Sequence, residues 1–187
     1  NHDSFDGRLC QDMGHVVSQS SKYGSTRFVG IIQSRGDIIW ILHRAQFNLL
    51  AVGSQAHISV VDPRSASIVH EIDSVDDGWG VRSLNFNNHI ITTGGGFGRL
   101  SFYDMRAQKY LEFPVHTDTA ESSMVCNYKE TGSGWLHRDA LYMNHFAGYA
   151  LQNAIYTLSY DQSGTKLFTG GGPLQLGLKG SYAALWS

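Results

Sequence analysis

Two phrases in this chain place an acid and a guanidinium two residues apart at the end of an alternating apolar run. One is Phe102-Tyr103-Asp104-Met105-Arg106; the other is Val60-Val61-Asp62-Pro63-Arg64. An arginine fixed beside an acceptor presents a planar donor fork, so the chemistry on offer is recognition rather than bond making. The same letters have a plainer use. Aspartate at a strand end accepts hydrogen bonds from the following turn, and its arginine neighbour can simply be solvated. Both readings stand on these residues alone. Asp62 and Asp104 are 42 residues apart, which directs attention to the elements that must carry them.

Those elements repeat. Residues 38–64, 81–106 and 155–187 each read as strand, polar turn, strand ending in a small-glycine step, turn, and a strand ending in an apolar pair. The pairs are Val60-Val61, Phe102-Tyr103 and Leu185-Trp186. The spacing matches the roughly 40–45 residue period of WD40 propeller blades. Alternating stretches such as Ile90-Ile91-Thr92-Thr93 read as short strands. Gly94-Gly95-Gly96 and Gly170-Gly171-Gly172 are expected to supply turns needing positive φ, and Ser163-Gly164 a hairpin turn. A blade cannot cover its own apolar face, so several must stack. The expected fold is an all-β WD40 propeller, read as the C-terminal blades of a larger one because three clear repeats are few. Trp186, next to the final residue, suits a natural C-terminus. We divide the chain into 1–37 as the end of a preceding blade, blades at 38–75 and 76–112, an insertion at 113–152, and a last blade at 153–187. Leu141, Tyr142, His145, Phe146 and Tyr149 follow Asp139 at helical spacing, which favours a loop plus short helix in the insertion over a degenerate blade.

Bulk composition narrows the function. The chain has 187 residues, 42% hydrophobic, enough for a substantial core. Fourteen basic against sixteen acidic residues, net −2, give no electrostatic footprint for nucleic acid or an anionic membrane. Two cysteines without a CxxC motif argue for a reducing, intracellular setting, and no run approaches the roughly 18 apolar residues of a membrane helix. Gly94-Gly95-Gly96-Phe97-Gly98 lacks the Lys-Ser/Thr of a phosphate loop. His137 and His145 flank the expected helix but form no metal-ligand cluster. Asp76-Asp77 reads as part of a solvated turn. No nucleophile motif is present. We expect no cofactor, no metal and no enzyme activity.

Tyr103-Asp104-Met105-Arg106 resembles the WDxR-type box of the WD40 substrate receptors of cullin-four ubiquitin ligases, with Tyr in place of Trp. Asp62-Pro63-Arg64 matches only the Asp-x-Arg part. The resemblance to these DDB-one-and-cullin-four-associated factors runs from about residue 51 to 187 and is specific in the blades. It implies a receptor that docks on the triple-propeller adaptor through Tyr103, Asp104 and Arg106, with Asp62 and Arg64 as a second, weaker box. It also implies substrates whose C-termini end in two glutamates. Such a tail brings three negative charges into a small volume and needs convergent cations. Aligning the repeats puts Trp40, Arg82 and Tyr156 at one position, one residue into the strand that opens on the top of the channel. Arg82 is the cation among them, and the family's arginine in the matching Val-Arg-Ser is a pocket residue; its plainer reading is an exposed strand arginine. Arg99 and Lys179 are further possible contributors. The function expected is substrate reception for a cullin-four RING ligase, in cytoplasm and nucleus. The rival is a WD40 scaffold for a complex unrelated to ubiquitin, and the two differ in whether the adaptor co-purifies through Arg106.

Overall fold

The structure, a computed structural model, describes residues 29–34, 37–42, 49–62, 65, 67–76, 78–115, 124–175 and 177–187; for 29–34, 37–42, 115 and 124 it describes the backbone alone. Arg64 lies outside the described residues. Three antiparallel sheets follow one another along the chain. The first holds β1 (Val29–Ser34), β2 (Asp37–Leu42), β3 (Leu50–Gly53), β4 (His57–Asp62) and β5 (Ser67–Asp73), paired in that order. Because β1 pairs with β2 along its whole length, this sheet begins upstream of the boundary expected at residue 38.

The second sheet is built on β6 (Val81–Asn87), β7 (Ile90–Gly95) and β8 (Arg99–Asp104). Its outer edge is shared. β9 (Lys109–Tyr110) pairs with the end of β8, and β12 (Tyr128–Glu130) pairs with its beginning. The third sheet orders β13 (Trp135–Leu136), β16 (Gly180–Trp186), β15 (Leu167–Pro173) and β14 (Asn153–Tyr160). The 113–152 segment therefore does more than loop out: it lends an outer strand to each of two sheets. It also holds a hairpin of β10 (Phe113–Val115) with β11 (Met124–Cys126), and the helix α1 (Ala140–His145). Asp139 caps α1 by accepting from the Tyr142 amide at 3.0 Å. None of the helix residues is buried.

Period-2 patterning explains how the sheets pack. On one face of β6, Val81, Leu84 and Phe86 join Ile58, Val60, Ile72, Ile91 and Tyr103 in the core between the first two sheets. Across the other face the spaced polar residues reach β14 and the turn that follows it. Ser83 Oγ donates to the Ile155 carbonyl at 2.7 Å, Asn85 Nδ2 to Leu158 at 3.3 Å and Asn87 Nδ2 to Gly164 at 2.8 Å. A polar inner strand thus has its side chains satisfied by a neighbouring sheet's backbone. Leu100, Ile155, Leu158 and Leu167 form the second apolar cluster between sheets two and three.

One expectation about the glycines is corrected. Gly94, Gly95 and Gly96 and Gly170, Gly171 and Gly172 do not have positive φ. They are small because neighbours come close: a Cβ on Gly95 would collide with the Asp76 carboxylate, and one on Gly171 with the Ala154 carbonyl. Positive φ falls instead at Gly98 and Gly164, in the turns themselves.

Candidate functional site

The described residues of the two expected sites lie on opposite rims. Asp104 ends β8 opposite Lys109, and Asp62 ends β4 opposite Ser67, so the two boxes occupy the same place in successive sheets. Asp104 Oδ1 accepts from the amides of Arg106 at 2.8 Å and Ala107 at 3.2 Å. The Ala107 and Arg106 amides hold its carboxyl below the ordinary value, with a smaller pull from His89, whose Nε2 is 3.8 Å from Oδ2. The turn is therefore fixed by the aspartate, and the exposed Arg106 guanidinium makes no hydrogen bond or ion pair among the described residues. Tyr103 is different. It is 5% exposed, meets Tyr110 edge-on at 5.1 Å, and its hydroxyl pairs with His70 Nε2 at 2.7 Å. The box aromatic is an inter-sheet wedge, which leaves Arg106 as the exposed side chain of the box. A cavity of about 630 Å³ adjoins it, bordered by Glu71, Asp73, Tyr103, Lys109, Tyr110 and Glu112. Its three carboxylates against one amine make it a poor seat for an acidic tail.

Arg82 and Tyr156 occupy the other rim, where β6 and β14 begin. Both are the extra residue of a β-bulge. The pairing steps from Val81–Gly95 to Ser83–Gly94, and from Ile155–Gly171 to Thr157–Gly170. They are therefore equivalent, as the repeat alignment expects. Trp40 is not. It lies opposite Gly53, as Ser83 lies opposite Gly94 and Thr157 opposite Gly170, so its backbone is one residue further along. The repeat alignment misleads by one residue here because Trp40 already stands in the register that β6 and β14 reach at Ser83 and Thr157, just past their bulges.

Around Arg82 the sequence reading missed the central residue. Asp76 is 2% exposed rather than solvated. Its Oδ2 accepts from the Phe97 amide at 2.6 Å and ties the turn before β6 to the turn before β8. Burial pushes its carboxyl up from its ordinary value; the Phe97 amide and the Arg99 and Arg82 guanidiniums oppose that without cancelling it. Arg99 Nη1 donates to the Val75 carbonyl at 2.9 Å and its guanidinium lies over the Tyr128 ring at 4.6 Å. Arg82 Nη2 donates to the Trp79 carbonyl at 3.1 Å. Among the described residues, the buried side-chain atoms lacking a partner are Asp76 Oδ1, Arg82 Nε, Arg99 Nε, Thr131 Oγ1 and Gln175 Oε1. All five sit at this one rim. Each such atom is open to water or to a ligand. The sequence signal that could have found Asp76 is its place before Gly78-Trp79-Gly80, a turn too rich in glycine and tryptophan to be simply solvated. Lys179 is exposed and Tyr156 donates its hydroxyl to the Pro173 carbonyl at 3.3 Å.

A family model, that of the DDB1- and CUL4-associated factor 12 beta propeller, matches residues 23–187 and takes in all three sheets. The chain belongs to that family. The three sheets are accordingly blades of a partial β-propeller. Among solved structures, a chain from one titled "Crystal Structure of Mitotic Checkpoint Complex" aligns at 14% identity and a TM-score of 0.45, over 86% of this chain and 60% of that one. A likeness so distant decides nothing. In the DDB1- and CUL4-associated factor 12 propeller, then, Arg106 sits at the rim where the third strands end and Arg82 at the rim where the first strands begin.

Proposed function

We propose that this propeller is a non-catalytic substrate receptor of a cullin-four RING ubiquitin ligase. Its Arg106 rim docks on the DDB1-type adaptor, and its Arg82 rim takes the C-terminal Glu-Glu of substrate proteins. The reading draws on family membership, and the observation that carries it is Arg106. That guanidinium is exposed on a turn held by Asp104 and makes no hydrogen bond or ion pair with any described residue, which suits it to grip a partner's carbonyl or carboxylate. The opposite rim supplies the cations that a triply charged tail requires, Arg82 with Arg99 behind it. With docking and reception at opposite ends of the strands, both partners can bind at once, and the receptor contributes proximity rather than chemistry.

The test is adaptor capture by the complete protein. Arg106→Ala should lose on the order of 2 kcal/mol or more of adaptor binding. Arg64→Ala should lose less, since its box has Val61 where the aromatic belongs. Wild-type capture by the Arg106 variant would overturn the receptor reading and favour a scaffold outside the ubiquitin system.

A further inference from the structure

We propose that Trp79 is a further ligand-contacting residue of the tail site, an apolar wall for the methylene stem of a C-terminal glutamate whose carboxylate reaches Arg82. The inference rests on the tail-binding reading above and adds to it a reason for glutamate over aspartate.

Trp79 is 46% exposed. A lone exposed apolar residue is ordinary on a protein surface. What sets this one apart is how firmly it is held. Its amide donates to the Asp76 carbonyl at 3.0 Å, and its carbonyl accepts from Arg82 Nη2 at 3.1 Å. Its ring stacks on Phe97, with centroids 5.6 Å apart and planes at 27°. Phe97 is in turn fixed by its amide bond to the buried Asp76 carboxylate. Gly78 at φ 81° and Gly80 at φ 85° flank Trp79, giving the loop a path that residues with a Cβ rarely follow. A Cβ on Gly96 would collide with the Trp79 carbonyl. An exposed indole braced at this many points has little entropy left to lose when a ligand covers it.

Two cations also lie beside the loop that carries the stack. Arg82 is bonded to the Trp79 backbone, and the Arg99 guanidinium lies 5.6 Å from the Phe97 ring centre. An apolar wall beside a guanidinium suits a side chain that is apolar along its stem and anionic at its end. Glutamate has two methylenes to lie on the wall and aspartate one. Covering the indole also excludes water from the neighbouring ion pair, which strengthens the pair. Tryptophan and arginine together are the residues most often found dominating interfaces.

The experiment uses the complete protein in complex with its adaptor, and two fluorescently labelled peptides identical except for ending in Glu-Glu or Asp-Asp. Trp79→Ala should weaken Glu-Glu binding about fourfold more than it weakens Asp-Asp binding, the worth of the one extra buried methylene. Trp79→Phe should retain most of the preference. As a second readout, saturating unlabelled Glu-Glu peptide should change the intrinsic tryptophan emission, and that change should vanish in Trp79→Phe while binding persists. Equal losses on both peptides in Trp79→Ala, or an emission change that survives in Trp79→Phe, would overturn the assignment. Arg82→Glu separates the two levels. If it abolishes Glu-Glu binding while Trp79→Ala does nothing, only the role of Trp79 fails. If it leaves binding intact, the tail site lies elsewhere and the inference falls with it.

Discussion

Substitutions at Tyr103 and Arg106, only three residues apart, should separate folding from docking. Tyr103→Phe removes a hydroxyl bonded to His70 Nε2 at 2.7 Å in a half-buried setting, and leaves the ring edge-on to Tyr110. Losing one such bond costs about 1 kcal/mol of stability. Tyr103→Ala also withdraws a 5%-exposed ring from the cluster of Ile58, Val60, Ile72, Val81, Leu84 and Ile91, at a cost of about 3–5 kcal/mol. Arg106→Ala removes an exposed side chain bonded to none of the described residues, so stability should change by no more than about 0.5 kcal/mol. Adaptor capture should run the other way: near normal in Tyr103→Phe, lost in Arg106→Ala. Denaturant unfolding of the complete protein and quantitative pull-down of the adaptor measure the two axes separately. The reasoning is refuted if Tyr103→Phe keeps its unfolding midpoint but loses the adaptor, because the hydroxyl would then face the partner rather than His70.

Three further outcomes are expected. Arg82→Glu should abolish binding of a Glu-Glu peptide, since breaking a desolvated charge pair costs about 2–5 kcal/mol and the new carboxylate repels the tail; adaptor capture, at the other rim, should survive, and unchanged peptide affinity would relocate the pocket. Gly94→Ala should destabilise by about 1–3 kcal/mol in denaturant unfolding, because the added Cβ would lie 2.5 Å from both Ile155 Cγ2 and Ser83 Oγ at the junction of blades two and three; a neutral result would mean the two blades can part without penalty. The Ala107 and Arg106 amides lower the Asp104 carboxyl, so its contribution to stability is present above the ordinary carboxylate pKa of about 3.9 and is lost as pH falls through the lowered folded value. Unfolding followed against pH should accordingly lose more stability below about pH 4 in the wild type than in Asp104→Asn, and parallel curves would remove the turn from the account.

The sequence by itself determined the repeat. Period-2 alternation in Val81–Asn87 and Ile90–Gly95, the 42-residue return of Asp-x-Arg, and the glycine steps were enough to specify blades, because each reflects chemistry local to a strand and its turn. The Asp139 cap and short helix were legible for the same reason. Only the tertiary structure decided which residues meet. A bulge adds a residue to one strand without marking the sequence, so Arg82 and Tyr156 came together at one rim while Trp40 fell out of step. Burial of Asp76 depends on an amide 21 positions away at Phe97, and the glycine beneath it is small for that contact rather than for its φ. Tyr103 carries the letters of a docking box yet is buried by His70 and Tyr110, residues of two different blades. Likewise β12 and β13 are too short to declare themselves; they are strands because β8 and β16 offer open edges to complete. Local pattern fixes what a segment is, but whether a side chain is wedge, wall or docking group depends on which distant backbone closes over it.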